Sequence, residues 1–210
     1  MSLEDIAKKM CAKGKGILAA DESTGTMDKR LKSVGVESSE ANRLNFRETL
    51  FSSDAMKNYI GGVILFDETI RQKTSIGISI PELITKNDSV VGIKVDKGAK
   101  KIAGSPEETV TEGLDGLRER LAEYYKLGAR FTKWIAVYNI GKNYPSVQSI
   151  KSNAHALARY AALVQEANMV PIVEPEVLMD GDHDIDACYK ATTDVLNECY
   201  NELAIHKVSL

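Results

Sequence analysis

Charged side chains interrupt or close segments that otherwise read as buried strands. Lys94 and Asp96 lie at the end of Val90-Val91-Gly92-Ile93-Lys94-Val95, and Lys133 lies inside Phe131-Thr132-Lys133-Trp134-Ile135-Ala136-Val137. Glu174 and Glu176 lie at the end of the run that begins Val170-Pro171-Ile172-Val173. Asp21 follows Gly16-Ile17-Leu18-Ala19-Ala20, and Asp67 and Glu68 follow Gly62-Val63-Ile64-Leu65-Phe66. Strand side chains alternate between faces, so residues two apart point the same way. Lys94 and Asp96 form such a pair, and so do Glu174 and Glu176 if Pro175 leaves the chain extended. Desolvating a charge costs several kcal/mol unless it is paired. Charges at successive strand ends therefore imply a polar pocket or a structural salt-bridge network. Two lysines facing carboxylates suit an anionic, hydroxylated substrate that undergoes proton transfers. A nucleophilic lysine needs a depressed pKa, which partial burial and a second lysine supply. Local logic alone leaves Lys94 and Lys133 both open for that role.

The elements that must position these groups alternate along the chain. The five near-continuous apolar runs suit parallel strands covered on both faces. The start of a sixth is expected after Lys207. Helical periodicity joins Leu114, Leu117, Leu121 and Tyr124, with Gly128 as a stop. It also covers residues 150–167, through Ile150, Ala154, Leu157, Ala158, Ala161 and Val164, and residues 185–203. Further helices are expected over about 39–51 and 2–12, whereas 67–88 reads as irregular. Ser105-Pro106-Glu107-Glu108 has the form of a helix start. Thr109, Val110, Thr111 and Gly113 are poor helix formers, so the reading is a short turn with the helix following. No linker or composition break interrupts the series, which implies a single domain over 1–210. An open doubly wound sheet fits this βα rhythm, as does part of an eight-stranded barrel. No Gly-rich dinucleotide fingerprint follows the first strand.

Other signals are weaker. Asp180-Gly181-Asp182-His183-Asp184 reads as a turn and helix cap rather than a metal cluster. His155 and His206 have no paired ligand spacing. Lys29, Arg30 and Lys32 form either a solvated helix face or a phosphate-reaching rim. Trp134 alternates away from Lys133 and is expected to pack against helices. Cys11, Cys188 and Cys199 form no metal-ligand pattern and read as free buried thiols of a reducing cytosol. Of the 210 residues, 27 are basic and 30 acidic, a net charge of −3 that does not suggest a nucleic-acid binder. No apolar run approaches the roughly 18 residues of a membrane span, and the N-terminus carries no apolar signal core.

Five stretches together resemble the class I fructose-bisphosphate aldolase family: GKGILAADESTG at 14–25, GGVILF at 61–66, VGIKVDKG at 91–98, EGLDGLRER at 112–120 and VPIVEPEVLMDGDHD at 170–184. The resemblance implies an α/β fold, a (β/α)8 TIM barrel in the complete protein, with about five strands and the start of a sixth present here. It implies reversible cleavage of fructose 1,6-bisphosphate to glycerone phosphate and glyceraldehyde 3-phosphate through a lysine Schiff base. It also implies a cytoplasmic homotetramer acting on a sugar bisphosphate in glycolysis and gluconeogenesis, with no cofactor, metal, nucleic acid or membrane. Asp21 matches the aspartate that orients the imine and moves a proton at the cleaved bond. Glu174 matches the general acid/base of imine formation, Glu176 its electrostatic partner, and Lys133 the lysine that tunes these carboxylates. Lys94, Ser23 and Arg30 match residues near the phosphate-bearing side.

Two departures shape the expectations. The family usually has a basic residue directly after the Lys-Trp pair, and Ile135 stands there. Ile135 shares a face with Lys133 by alternation, so weaker binding of the second phosphate is expected. No lysine present matches the Schiff-base lysine, which in the family follows the match to Leu210 in Leu-Glu-Gly-Thr-Leu-Leu-Lys. Residues 1–210 alone are therefore expected to be inactive and, with open sheet edges, aggregation-prone. The alternatives are a Schiff-base lyase for another phosphorylated sugar, or a non-catalytic truncated paralogue or fragment.

Overall fold

A computed structural model describes residues 1–210. Its elements run α1 (Leu3–Met10), β1 (Gly16–Ala20), α2 (Thr24–Ser33), α3 (Glu40–Phe51), α4 (Asp54–Tyr59), β2 (Ile60–Leu65), α5 (Asp67–Ile70), α6 (Ile80–Lys86) and β3 (Val90–Lys94). They continue with β4 (Ala99–Ile102), β5 (Ser105–Thr111), α7 (Leu117–Lys126), β6 (Phe131–Tyr138), α8 (Val147–Glu166), β7 (Val170–Val177) and α9 (Ile185–Ile205). The main sheet has the order β1-β2-β3-β6-β7, which follows the chain, and β4 and β5 form a separate hairpin. The five expected strands are all present. The expected sixth is not, because residues 206–210 contain no strand. Instead Gln165 clamps Ser209 through the oxygen and nitrogen of its side-chain amide, accepting from the Ser209 N–H at 3.0 Å and donating to its carbonyl at 2.8 Å.

By packing, the chain divides into two compact units. One is Met1–Lys94 with Ala122–Thr132 and Asn168–Val170, and the other is Val95–Leu121 with Lys133–Ala167 and Pro171–Leu210. In the first, β1 and β2 pair in parallel, as do β2 and β3. The fully buried Phe131 ring fills the space left by two glycines. A Cβ at Gly92 would meet that ring at 2.2 Å, and one at Gly62 would meet it at 3.1 Å. Serine side chains start α1, α2, α3 and α6 by accepting a backbone N–H of the first turn. The stretch 67–88 is more ordered than its composition implies, since α5 and α6 lie within it.

In the second unit, α8 and α9 pack on each other. Trp134 is fully buried and its ring centroid lies 5.3 Å from that of Tyr160 on α8, as alternation within β6 requires. The segment read as a short turn at 105–108 is the start of β5, antiparallel to β4. The β-branched Thr109-Val110-Thr111 run decides its conformation. The helix that follows begins only at Leu117, after Gly113 and Gly116 adopt positive φ angles of 133° and 65°. Ser105 donates its hydroxyl to the Glu108 carboxylate at 2.8 Å, a bond between side chains rather than the side-chain-to-backbone contacts of a helix start, and the carboxylate serves the neighbouring helix. Glu108 accepts the Ser146 N–H at 2.7 Å and the Ser146 hydroxyl at 2.6 Å, tying the hairpin to the N-terminus of α8.

Burial alone would raise the Glu108 pKa, but the Ser146 N–H and the hydroxyls of Ser146, Ser105 and Ser149 hold it below its ordinary 4.5. A depressed folded value gives a contribution that is present above the unfolded pKa and lost as pH falls through the folded one. Glu108→Gln is expected to destabilise the protein by about 1–2 kcal/mol at neutral pH. The gap to the parent is expected to close as pH falls below about 4.5. Thermal unfolding across that range checks it. A gap that stays constant down to about pH 3 excludes this role for the carboxylate.

Candidate active site

The first unit carries Asp21, Ser23, Arg30 and Lys94. Asp21 directly follows β1 and is buried, and Lys94 is the last residue of β3 and half-buried. Ser23 is the N-cap of α2, where its oxygen accepts the Thr26 N–H at 3.3 Å. Its hydroxyl also lies 3.1 Å from the Thr26 hydroxyl, and the two stand beside a helix N-terminus, a favourable setting for an anion. Lys29, Arg30 and Lys32 lie on the exposed side of α2, and Arg30 is ion-paired with Glu22.

Beneath Asp21 lies a charged network that the sequence reading did not find. Arg47 on α3 is 1 % exposed and donates to the Glu22 carbonyl at 2.6 Å and to the Thr69 hydroxyl at 2.6 Å. Its guanidinium also lies 3.6 Å from the Glu22 carboxylate and 3.9 Å from that of Glu68. Arg43, one turn earlier, grips Glu68 with two hydrogen bonds of 2.9 and 2.5 Å. Those bonds hold the Glu68 carboxyl below its ordinary range. Burial pulls the Arg47 pKa down, against the opposing pull of Glu22 and Glu68. The network thus fixes the backbone of the residue next to Asp21 from below. Its available signal was the spacing of Arg43, Arg47 and Phe51, which together form the buried stripe of α3.

The second unit carries Lys133, Glu174 and Glu176. Along β6, Thr132, Trp134, Ala136 and Tyr138 are buried, whereas Lys133, Ile135 and Val137 are half-buried on the opposite face. On β7, Pro175 does not interrupt the strand, so Glu174 and Glu176 do share a face. Glu176 is exposed. The Lys133 ammonium lies 3.1 Å from Glu174 Oε2, with side chains 14 % and 36 % exposed. An ammonium and a carboxylate so placed can stabilise an oxyanion and exchange a proton with a substrate oxygen. Asp96, expected to share a face with Lys94, lies beyond the end of β3, and its Oδ1 accepts the Gly98 N–H at 3.0 Å.

The remaining sequence signals resolve as follows. Asp184 caps α9 by accepting the Ala187 N–H at 2.9 Å, as read for the acidic turn. The three cysteines are free, but of them Cys199 alone is buried, Cys188 being half-buried and Cys11 exposed. Burial pushes the Cys199 thiol up to about 11. His155 and His206 are not isolated, since their rings stand edge to face at 5.0 Å. No helix is long and apolar enough to cross a membrane.

A family model described as fructose-bisphosphate aldolase class-I matches residues 2–210. A relative from Xylella fastidiosa, "Probable fructose-bisphosphate aldolase class 1", is 55 % identical over 213 residues, covering 100 % of this chain and 64 % of the relative. Fructose-bisphosphate aldolase C of Carassius auratus is 52 % identical, covering 99 % of this chain and 58 % of its own length. The crystallised fructose-bisphosphate aldolase of Plasmodium falciparum, solved with TRAP and a small-molecule inhibitor, superposes with a TM-score of 0.93 at 45 % identity. That superposition covers 96 % of this chain and 58 % of the other. The chain thus spans about three-fifths of the length of the proteins it matches.

Proposed function

The chain belongs to the class I fructose-bisphosphate aldolase family, with the α/β fold of part of a (β/α)8 barrel, and from this we propose that it supplies the acid–base half of a Schiff-base aldolase. The reaction is reversible cleavage of fructose 1,6-bisphosphate to glycerone phosphate and glyceraldehyde 3-phosphate. The observation that carries the reading is the Lys133–Glu174 pair at 3.1 Å. Imine formation needs a carboxyl that donates a proton to the departing carbinolamine hydroxyl and takes it back on hydrolysis. Glu174 has that role. Lys133 stabilises its ionised form, and Glu176 sets the local potential from the next position on the same face. Asp21, held by the buried backbone after β1, orients the imine and moves the proton at the C3–C4 bond. Lys94, Ser23 and Arg30 receive phosphate, with Arg30 exchanging Glu22 for the substrate anion. Tetrameric assembly and a cytoplasmic location rest on family membership alone.

No lysine among the 210 residues matches the imine-forming lysine. The test is a pair of proteins: residues 1–210 alone, and residues 1–210 joined to the remaining part of the Xylella relative. The joined chain is expected to cleave the bisphosphate, and residues 1–210 alone are not. Turnover by residues 1–210 alone, or none by a folded joined chain, refutes the assignment.

Ile135 supports a second, narrower reading, in which the enzyme is less selective for a second phosphate. It is half-buried on the Lys133 face of β6. An added guanidinium there gains a charge-assisted hydrogen bond of about 1.5–3 kcal/mol. Ile135→Arg in the joined chain is therefore expected to lower KM for the bisphosphate about tenfold or more, and to leave KM for fructose 1-phosphate unchanged. Equal KM values for the bisphosphate in variant and parent exclude this role.

A further inference from the structure

The proposed aldol chemistry leaves unused a cluster of two imidazoles and a carboxylate. His155 lies on α8 and Glu202 on α9, and His206 is the C-cap of α9. Glu202 and His206 are four residues apart and so lie over one another on the same face. Packing of α8 on α9 brings His155 to them. His155 Nδ1 lies 3.1 Å from Glu202 Oε2, and His206 Nδ1 lies 3.4 Å from the same oxygen. One ligand atom from each of the three residues falls within 4.8 Å of the others. A tetrahedral ion bound at ordinary Zn–N and Zn–O lengths separates neighbouring donors by about 3.3 Å. The two distances to the carboxylate are thus already at the required value. The third closes by rotation of the His155 side chain, which is 52 % exposed.

The outer surroundings also suit an ion. The His206 Nδ1–H donates to the Glu202 carbonyl at 2.9 Å. Nδ1 is also the atom that meets Glu202 Oε2 at 3.4 Å, so binding the ion exchanges this internal hydrogen bond for the metal. Glu202 and His206 side chains are 16 % and 21 % exposed, so two ligands are held in place while the third opens to solvent. Two nitrogens and one carboxylate oxygen favour a borderline-soft ion over Mg²⁺ or Ca²⁺, which prefer all-oxygen shells.

We propose that His155, Glu202 and His206 form a binding site for a divalent transition-metal ion of the Zn²⁺ class, with solvent completing the shell, and that the ion staples α8 to α9. Titration calorimetry of the chelator-treated protein with Zn²⁺ is expected to show this site, and Mg²⁺ to give no binding. His155→Gln and His206→Gln are each expected to weaken Zn²⁺ binding at least tenfold. Cys11→Ser and His183→Gln are expected to leave it unchanged. Equal Zn²⁺ affinity in the parent and both cluster variants overturns the proposal, as does the absence of Zn²⁺ binding to the parent. Imidazole NMR of the parent gives a readout that needs no variant. Both His155 and His206 are expected to shift on Zn²⁺ addition while His183 stays, and a response confined to His183 overturns the site.

Discussion

Glu174→Gln, in residues 1–210 joined to the rest of the Xylella relative, is expected to lower kcat for fructose 1,6-bisphosphate about 10²–10⁴-fold. Glutamine keeps the length and hydrogen bonding of the side chain but cannot exchange a proton. The 3.1 Å contact to the Lys133 ammonium becomes a contact with a neutral amide, so the geometry of β6 and β7 changes little. The loss is therefore expected in kcat and kcat/KM together, the pattern of an interaction made in the transition state. Steady-state cleavage assays at saturating and limiting substrate separate this from a binding effect. A variant with parental kcat and raised KM would make Glu174 a binding group only.

Arg47→Met is expected to cost about 3 kcal/mol, the lower end of the range for removing one member of a buried ion pair. Two acceptors lose their donor at once, the Glu22 carbonyl and the Thr69 hydroxyl, and the Glu22 carboxylate loses an ion-pair partner 3.6 Å away. The full range is not expected, because Glu22 keeps Arg30 and Glu68 keeps Arg43. Methionine fills a similar volume, so the effect reports the charge rather than a cavity. Arg47→Lys is not expected to rescue it, because a point ammonium cannot reproduce the fork that spans α2's entry and Thr69. Urea unfolding checks the value, and a change within about 0.5 kcal/mol of the parent would place the network outside the stability of the fold.

Much of this was legible in the chain. The five strands were readable because each is a short apolar run in which charge appears only near the end or on one face. The pairing of Lys133 with Glu174 follows from alternation along two strands that the chain order makes neighbours. Local chemistry misled where two signals competed. Ser105-Pro106-Glu107-Glu108 carries the residue types of a helix start, yet the β-branched residues after it impose a strand. Residues 206–210 look strand-like, but Lys207 takes a positive φ of 56° and Gln165 binds the backbone beyond it. For interactions joining distant positions, local spacing names no partner: the Arg43, Arg47 and Phe51 stripe marks burial only. Arg47 reads as one more charge on a helix until Glu22 and Thr69 are placed beside it. His155 and Glu202 meet across 47 residues, so no ligand spacing could announce them.

The most direct measurement is borohydride trapping with fructose 1,6-bisphosphate, followed by mass-spectrometric location of the label. The joined chain is expected to carry one substrate adduct, on a lysine outside residues 1–210, and to acquire it more slowly with Glu174→Gln. A substrate-dependent adduct on Lys133, Lys94 or any other lysine within residues 1–210 would contradict the division of roles proposed for this site.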